Sequence, residues 1–563
     1  MAENGGVKRL KSLLKPSRSL FRRLLILSMF INLLALAVPV FVLQVYDRVI
    51  FHAGLSTLQG LSLGMLILLL FYFLLARGRA RVLQATAVVT DIELEQAIFN
   101  HLLSLPLGIV EAKPASHWHN LFRDAELVRA RYSGPIALLT LDLPFALLAF
   151  GLVSLIAEPV IWVLSVAIAV NLTITLISGR SMRKKHKIDR DSSIHRDRVL
   201  TEIMEARNTV KSIGMNEGVR NRWSEGHSTW VENSLKRGNH ADFYRDLNQT
   251  LSMALIVAMT VVGALAILQQ EMTMGALIAA NMLGSRVIAP LNQLIMQWRG
   301  IAYFEQARSR LAAFFTLETD EEKKGVKFEQ PNGEILLEDL CYRFDPEHDD
   351  ALSKVSTTIG PKGMYSVIGP NGSGKSTLLK LIAGLYRPTG GRILIDGSDI
   401  AQFSQQDLSQ KIGMLPQIVH IFSGTIRENI VMSRPDATDE EVIEAAKLVG
   451  LHTTVTKLPE GYGTVIGEDG YGLSGGERKR ICLAAVFLKK PAILLLDEPT
   501  GDIDLGGEMA LKESLLEFSK QHTVVVVTHS PHLLGVSDGI IALENGHMTI
   551  AGHRETVLKA LAQ

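Results

Sequence analysis

The chain has 563 residues, 47% of them hydrophobic and 20% charged, with a formal net charge of +1. Its positive mean hydropathy fits a membrane protein with a large aqueous part, and its balanced charge offers no case for a nucleic-acid partner. The two cysteines, Cys341 and Cys482, lie far apart without metal-ligand spacing, and read as reduced structural thiols of a cytoplasmic domain.

Residues 1–23 carry Lys8, Arg9, Lys11, Lys15, Arg18, Arg22 and Arg23 ahead of an apolar run at 24–43. That run is too long for a signal-peptide core and lacks a small-residue cleavage site, so the segment reads as a basic cytoplasmic leader. A bilayer core needs about 20 apolar residues in a helix. Six stretches approach or reach that length: 24–43, 58–75, 136–156, 160–177, 251–268 and 274–295. The sixth is the weakest, because it contains Asn281, Arg286 and Asn292. An arginine at the centre of a span costs about 3 kcal/mol on insertion scales. Arg286 should therefore face the bundle or a wet cavity, unless it lies in a polar extension of the helix or snorkels. Asp142, in the third span, has the same two readings.

The connections alternate between short (44–57, 157–159, 269–273) and long (76–135, 178–250), and Arg48 is the only lysine or arginine in the short ones. The basic leader and long loops place the N-terminus, both long loops and everything after residue 295 in the cytoplasm. Within the long loops, 88–105 and 196–213 show apolar residues at helical spacing with little Gly or Pro, so the membrane helices should continue into the cytoplasm. The run GRSMRKKHK at 179–187 suits a helix leaving the inner leaflet near anionic headgroups better than it suits nucleic acid.

Residues 318–333 are polar and contain Pro331-Asn332-Gly333, a composition break suited to a linker. Beyond it, strand-like runs (ILLEDLCYRF, MYSVIG, ILID, AILLLD, TVVVVT, GIIAL) alternate with helical ones, which implies an α/β domain with a mostly parallel sheet. The organisation is thus a leader at 1–23, a transmembrane domain at 24–317, a linker at 318–333 and a nucleotide-binding domain at 334–563.

The chemistry concentrates in that last domain. GPNGSGKST, residues 369–377, fits G-x-x-x-x-G-K-[ST] between a strand and a helix. Backbone amides of Gly369, Asn371, Gly372, Ser373 and Gly374 can cradle phosphates. Lys375 neutralises β/γ oxygens, Ser376 can ligate Mg²⁺, and Thr377 continues the loop into the helix. A buried apolar strand ends in Asp497-Glu498. Asp497 is the natural partner of Mg²⁺, and Glu498 is placed to polarise water at the γ-phosphate. LSGGE at 473–477 puts two glycines before a charged helix, and bare backbone amides there suggest an anion.

The order P-loop, Gln417, LSGGE, LLLDEPT, Asp504, THS resembles the nucleotide-binding domain of ATP-binding cassette (ABC) transporters. The resemblance implies roles for residues that composition could not assign. Phe344 holds the place of the aromatic that stacks on adenine, usually a tyrosine, with a core phenylalanine as the alternative. Gln417 matches the glutamine that senses Mg²⁺, His529 the switch histidine on the γ-phosphate, and Asp504 the D-loop aspartate. Ser474, Gly475 and Gly476 would bind the γ-phosphate of ATP held by a partner's P-loop, which implies a homodimer with two composite sites. Two departures stand out: Glu477 replaces the commoner glutamine, and Gly501-Asp502-Ile503 replaces the commoner small-residue run.

The front half resembles the exporter class, which implies two short contact helices toward the nucleotide domains, around 116–124 and 216–224. Trp223 would be the apolar anchor of the second. His117-Trp118-His119, in the first, has too few ligands for metal and reads as a contact segment. GEDG at 467–470 resembles the exporter X-loop, and VYDRV at 45–49 and DLPF at 142–145 resemble type I secretion ATPases, which move unfolded polypeptide out of Gram-negative bacteria. That family implies an inner-membrane location, a periplasmic adaptor and an outer-membrane channel. The short leader suits the branch without an N-terminal peptidase domain. A lipid, glycan or drug exporter would share every nucleotide motif, and a membrane-anchored regulatory ATPase is the reading from another class.

Overall fold

The computed structural model describes the chain apart from residues 1, 15–17, 51, 320–330, 346, 348, 468–469, 471 and 562–563. It divides into two compact units: Met1–Leu103 with Lys113–Leu317, and Ser104–Ala112 with Glu318–Gln563.

The first unit is helical. Helix α1 (Ala2–Leu13) precedes α2 (Arg18–Gln44), so the basic leader has structure of its own. Leu10 and Leu14 of this segment are buried. Arg9 sits over the Phe315 ring, and a Cβ on Gly6 would fall 2.3 Å from the Ala312 carbonyl oxygen. The leader is a packed helix because its apolar residues find a face to cover.

The spans lie in α2, α3 (Leu55–Leu103), α6 (Pro135–Ile156), α7 (Ile161–Glu205), α9 (Asn216–Leu268) and α10 (Met274–Phe314). Between them come α4 (Leu107–Glu111), α5 (Ala115–Ser133) and α8 (Arg207–Ile213). Among the described residues, six helices are long and apolar enough to cross a membrane. Helices α3 and α9 have 49 and 53 residues, roughly 70–80 Å at the helical rise and more than twice a bilayer core. The long loops are therefore helical continuations of spans. The side chains of 183–190, which include most of the basic run, lie outside the described residues.

Two polar clasps hold the bundle. Asp142 Oδ1 accepts from Arg79 Nη1 (2.8 Å) and Asn32 Nδ2 (2.9 Å), and Arg79 also donates to Ser28 Oγ. Asp142 thus faces the bundle as a paired charge. The VYDRV motif forms a π-helical turn, Val45–Ile50. There Asp47 accepts from the Gly275 backbone (3.0 Å) and the Thr273 hydroxyl (2.7 Å), placing a carboxylate at the positive end of α10. A Cβ on Gly275 would lie 2.6 Å from Asp47 Oδ1, so only glycine admits this approach.

The first expected contact helix is displaced. Residues 116–124 lie in α5, where Trp118, Leu121 and Asp124 are buried in the first unit, and Asp124 holds Arg310 by two bonds of 2.6 Å. The short helix that joins the second unit is α4. Trp223 is half-buried and stacks on His227 of its own helix at 4.5 Å. The exposed apolar groups beside it in sequence are Ile213 and Met215, at the turn where Gly214 (φ +75°) ends α8.

In the second unit, β1 (Ile335–Tyr342), β2 (Leu352–Ile359), β4 (Gly390–Ile395) and β5 (Ser398–Asp399) form an antiparallel sheet in the order β2-β1-β4-β5. A six-stranded sheet holds β3 (Gly363–Ile368), β6 (Ile412–Leu415), β9 (Ile493–Asp497), β10 (Thr523–Val527), β11 (Gly539–Glu544) and β12 (His547–His553). Its order is β12-β11-β3-β10-β9-β6, parallel except for β12. A short pair, β7 (Gly424–Thr425) with β8 (Val465–Ile466), stands apart. Strands β9 and β10 are buried along their whole length, as helix-covered parallel strands must be. Of the GEDG motif, Glu468 and Asp469 lie outside the described residues.

Removing Asp142 leaves the Arg79 guanidinium without its carboxylate inside the bundle. Asp142→Ala should cost about 3–5 kcal/mol, read as a lowered melting temperature in detergent. Asp142→Leu with Arg79→Met should recover most of that loss.

Candidate active site

Parallel register puts Val367 of β3, Val527 of β10 and Asp497 of β9 at one level, so the loops that leave these strands converge at one sheet edge. The loop after β3 is 369–374, leading into α11 (Lys375–Ile382). Gly369, Gly372 and Gly374 all have positive φ. A Cβ on Gly369 would lie 2.0 Å from the Leu543 carbonyl, and one on Gly374 2.6 Å from that of Ala351. Glycine is therefore required by both backbone angle and space. Asn371 and Gly372 are exposed at the tip, while Ser373 and Thr377 are buried. Lys375 Nζ donates to the Gly369 and Pro370 carbonyls at 2.7 and 2.8 Å, folded across the loop.

Two buried oxygens here have no hydrogen-bond partner: Ser373 Oγ and Asp497 Oδ1. Burial raises the Asp497 carboxyl pKa, opposed by a hydrogen bond from Ser376 and the charge of Lys375. An orphaned, desolvated carboxylate oxygen beside a serine hydroxyl fits a hard cation's donor set.

Glu498 comes next in the left-handed region (φ +46°), where a non-glycine residue is strained. Its N–H donates to Val527 O at 2.9 Å, and its carboxylate stands 3.5 Å from His529 Nε2. Gln417 is exposed two residues beyond the end of β6. Phe344 is 63% exposed, which excludes the core alternative, and its ring packs edge-on to Tyr342 and Tyr386.

Ser474 caps the helix Gly475–Leu488 in a capping box. Its N–H and hydroxyl both donate to Glu477 at 2.8 Å, so Glu477 in place of glutamine supplies the accepting carboxylate. Gly476 has a second reason to lack a side chain: a Cβ there would fall 2.6 Å from the Asp502 carbonyl. Asp504 is exposed at the N-cap of the helix Leu505–Ser519, with no side-chain cap bond. Ser474 is likewise exposed, so these two residues face outward while the P-loop, Asp497, Glu498 and His529 share the sheet edge.

Sequence reasoning missed two groups. Lys479, only 5% exposed, donates to the Glu498 and Gly501 carbonyls at 2.9 Å each. Burial lowers its pKa, opposed by Asp502, Glu498 and Asp497. The departure at Gly501 signalled it, since a Cβ there would meet Lys479 Nζ at 2.9 Å. The other is Glu111 on α4, which accepts from Lys380 Nζ at 3.0 Å and from the Tyr386 hydroxyl. Pro106 and Pro114 bracket this segment and were its signal. Cys482 matches its structural reading: burial pushes its thiol up to about 11.

This geometry defines a P-loop ATPase domain joined to a six-span helical unit. Residues 352–501 match the family model "ABC transporter", and 23–291 match "ABC transporter transmembrane region". The cyclolysin secretion/processing ATP-binding protein CyaB of Bordetella pertussis is 30% identical over 545 residues, 96% of this chain and 76% of that protein. The leukotoxin export protein LtxB of Aggregatibacter actinomycetemcomitans and the leukotoxin translocation protein LktB of Mannheimia haemolytica are each 29% identical over 542 residues, 96% of this chain and 77% of theirs. A solved bacterial Atm1-family ABC exporter with ATP bound has a TM-score of 0.86, covering 96% of this chain and 97% of that one at 20% identity, a likeness of fold. The chain belongs to the ABC transporter family. It is a multi-pass inner-membrane exporter whose cytoplasmic domain binds and hydrolyses ATP.

The tie from Lys479 to the strained Glu498 backbone generates one expectation. Lys479→Met should lower kcat for ATP about tenfold or more, as lost charge-assisted bonds do, with KM changed less than about twofold. Lys479→Gln, which can still donate, should restore much of the rate in the same assay.

Proposed function

We propose that this exporter moves unfolded polypeptide, as the ABC component of a type I secretion system, working as a homodimer with a periplasmic adaptor and an outer-membrane channel. The observation that supports the cargo class is where the likeness to toxin exporters runs. It extends over 96% of the chain, membrane unit included, whereas the nucleotide motifs are shared by exporters of every cargo. VYDRV and DLPF, the motifs behind the Asp47 and Asp142 clasps, lie in that half.

In the proposed cycle, the Gly369–Gly374 amides and Lys375 bind the phosphates of ATP, and Phe344 stacks on the adenine. Ser376, Asp497 and Gln417 would hold Mg²⁺, to which the orphaned Asp497 oxygen is suited. When bound, Mg²⁺ neutralises β/γ charge. Glu498 takes the proton of the attacking water, and His529, beside it, donates to the γ-phosphate. Ser474, Gly475 and Gly476 of the second chain close over the same phosphate, with Asp504 at the interface. One P-loop and one LSGGE per chain then make two equal sites.

Glu498→Gln should keep ATP affinity but stall hydrolysis, so that a nucleotide-locked dimer accumulates. Turnover within a few-fold of wild type would remove Glu498 from this role. Mixed dimers of Ser474→Arg and Lys375→Ala chains should retain part of the ATPase that each pure mutant loses, because one site keeps both defects and the other none. The cargo class is tested on the reconstituted full chain. A synthetic C-terminal secretion-signal peptide should raise ATPase several-fold, while added lipid or no addition should leave it at the basal rate. Stimulation by lipid alone would favour a lipid exporter.

A further inference from the structure

The six apolar stretches 24–43, 58–75, 136–156, 160–177, 251–268 and 274–295 contain two side chains charged at neutral pH, Asp142 and Arg286. Asp142 is satisfied within the chain by Arg79 and Asn32. Arg286 stands at the midpoint of the span Met274–Trp298, and its side chain is exposed, as is that of Ser285 beside it.

The same face of α10 continues at helical spacing through Ala289, Gln293 and Met296, all exposed. On the other side Leu283, Val287 and Ile288 are buried in the bundle core. Helix α10 therefore has a packed apolar side and an open side that carries its charge. The open side leads to a cavity of about 610 Å³, whose walls include Met296, Gly300 and Tyr303 of α10 and Arg123, Asp197 and Arg237 of other helices.

A guanidinium at mid-span cannot rest against hydrocarbon, and so it meets protein or water. A second copy of this chain brings no free carboxylate to the same depth. Its six stretches offer only Asp142, and Arg79 already holds that group. Without a fixed counter-ion in the apolar stretches of either copy, the open face of α10 is a wet face.

We propose that Arg286 is a cationic station on a water-filled path through the membrane unit, and that its counter-ions are carboxylate side chains of the extended polypeptide as it passes. The identity of this occupant rests on the polypeptide-export reading; the wet, cationic character of the face does not. A positive group at the centre of a low-dielectric passage concentrates anions and repels cations. The same residue thus favours acidic stretches of cargo and restrains cation leakage through a path wide enough for a chain.

The test uses thiol reagents of opposite charge. In the full chain with Cys341→Ser and Cys482→Ser, Ser285→Cys places a reporter beside Arg286, and Ala289→Cys provides a second one a turn away. Each is exposed in inside-out vesicles to a sulfonate-bearing and a quaternary-ammonium methanethiosulfonate, with rates normalised to a free thiol in solution. The anionic reagent should react faster by on the order of tenfold. Arg286→Gln should erase that preference, and Arg286→Lys should keep it. No labelling at either position would show the face covered, and a preference unchanged in Arg286→Gln would show the charge irrelevant. Either result overturns the proposal. For the occupant, unfolded glutamate-rich and lysine-rich peptides of equal length are added with ATP. The acidic peptide should slow labelling at least about threefold, and Arg286→Glu should reverse which peptide protects. If neither peptide protects while the reagent preference persists, the polypeptide occupant falls and the cationic wet face stands.

Discussion

Converging backbone N–H groups with no side chain in the way make a cradle suited to phosphate, and the second unit is organised around that geometry. The loop 369–374 turns so sharply that three of its glycines take positive φ. Neighbouring carbonyls from Leu543 and Ala351 press into the space where Cβ atoms would stand. A parallel sheet supplies what the loop cannot, a rigid edge on which Asp497, Glu498 and His529 arrive from adjacent strands at matching register. The glycine pair of LSGGE also obeys a packing rule, since Gly476 yields to the Asp502 carbonyl.

In the first unit the governing constraint is the cost of charge in a low-dielectric medium. It explains why Asp142 is answered by Arg79 and Asn32 from two other helices, and why Asp47 is spent on the exposed amide end of α10. The Asp47 clasp depends on a glycine at 275 that lets the carboxylate approach. Against these two satisfied acids, the open side of α10 stands out as the place where the apolar stretches carry a charge without a fixed answer.

Hydrogen bonds within the second unit connect parts whose duties differ. Lys380, which Glu111 of α4 holds, belongs to α11, the helix whose first turn carries Lys375 and Ser376. The Lys380–Glu111 bond thus ties α4 to the helix that the P-loop leads into. Lys479 plays a comparable part between the helix that begins at Gly475 and the Glu498 turn. Its burial lowers its pKa, and the three nearby carboxylates counter that effect.

The sequence by itself determined the six spans, their cytoplasmic extensions, the α/β domain and the ATP site, because each of these depends on local periodicity or on residues at fixed spacing along one strand-loop-helix unit. Phe344 needed the structure to choose between core and surface, since an aromatic satisfies either and only its 63% exposure decides. The first contact segment was misplaced for a related reason. Trp118 is apolar enough to look like an anchor, yet it is buried in its own unit, while the modest α4 joins the second unit. Which of the two mid-span charges would be paired was equally undecided by spacing. Asp142 lies 63 residues from Arg79 and 110 from Asn32, and only the packing of three helices brings them within hydrogen-bond reach, leaving Arg286 on the open face.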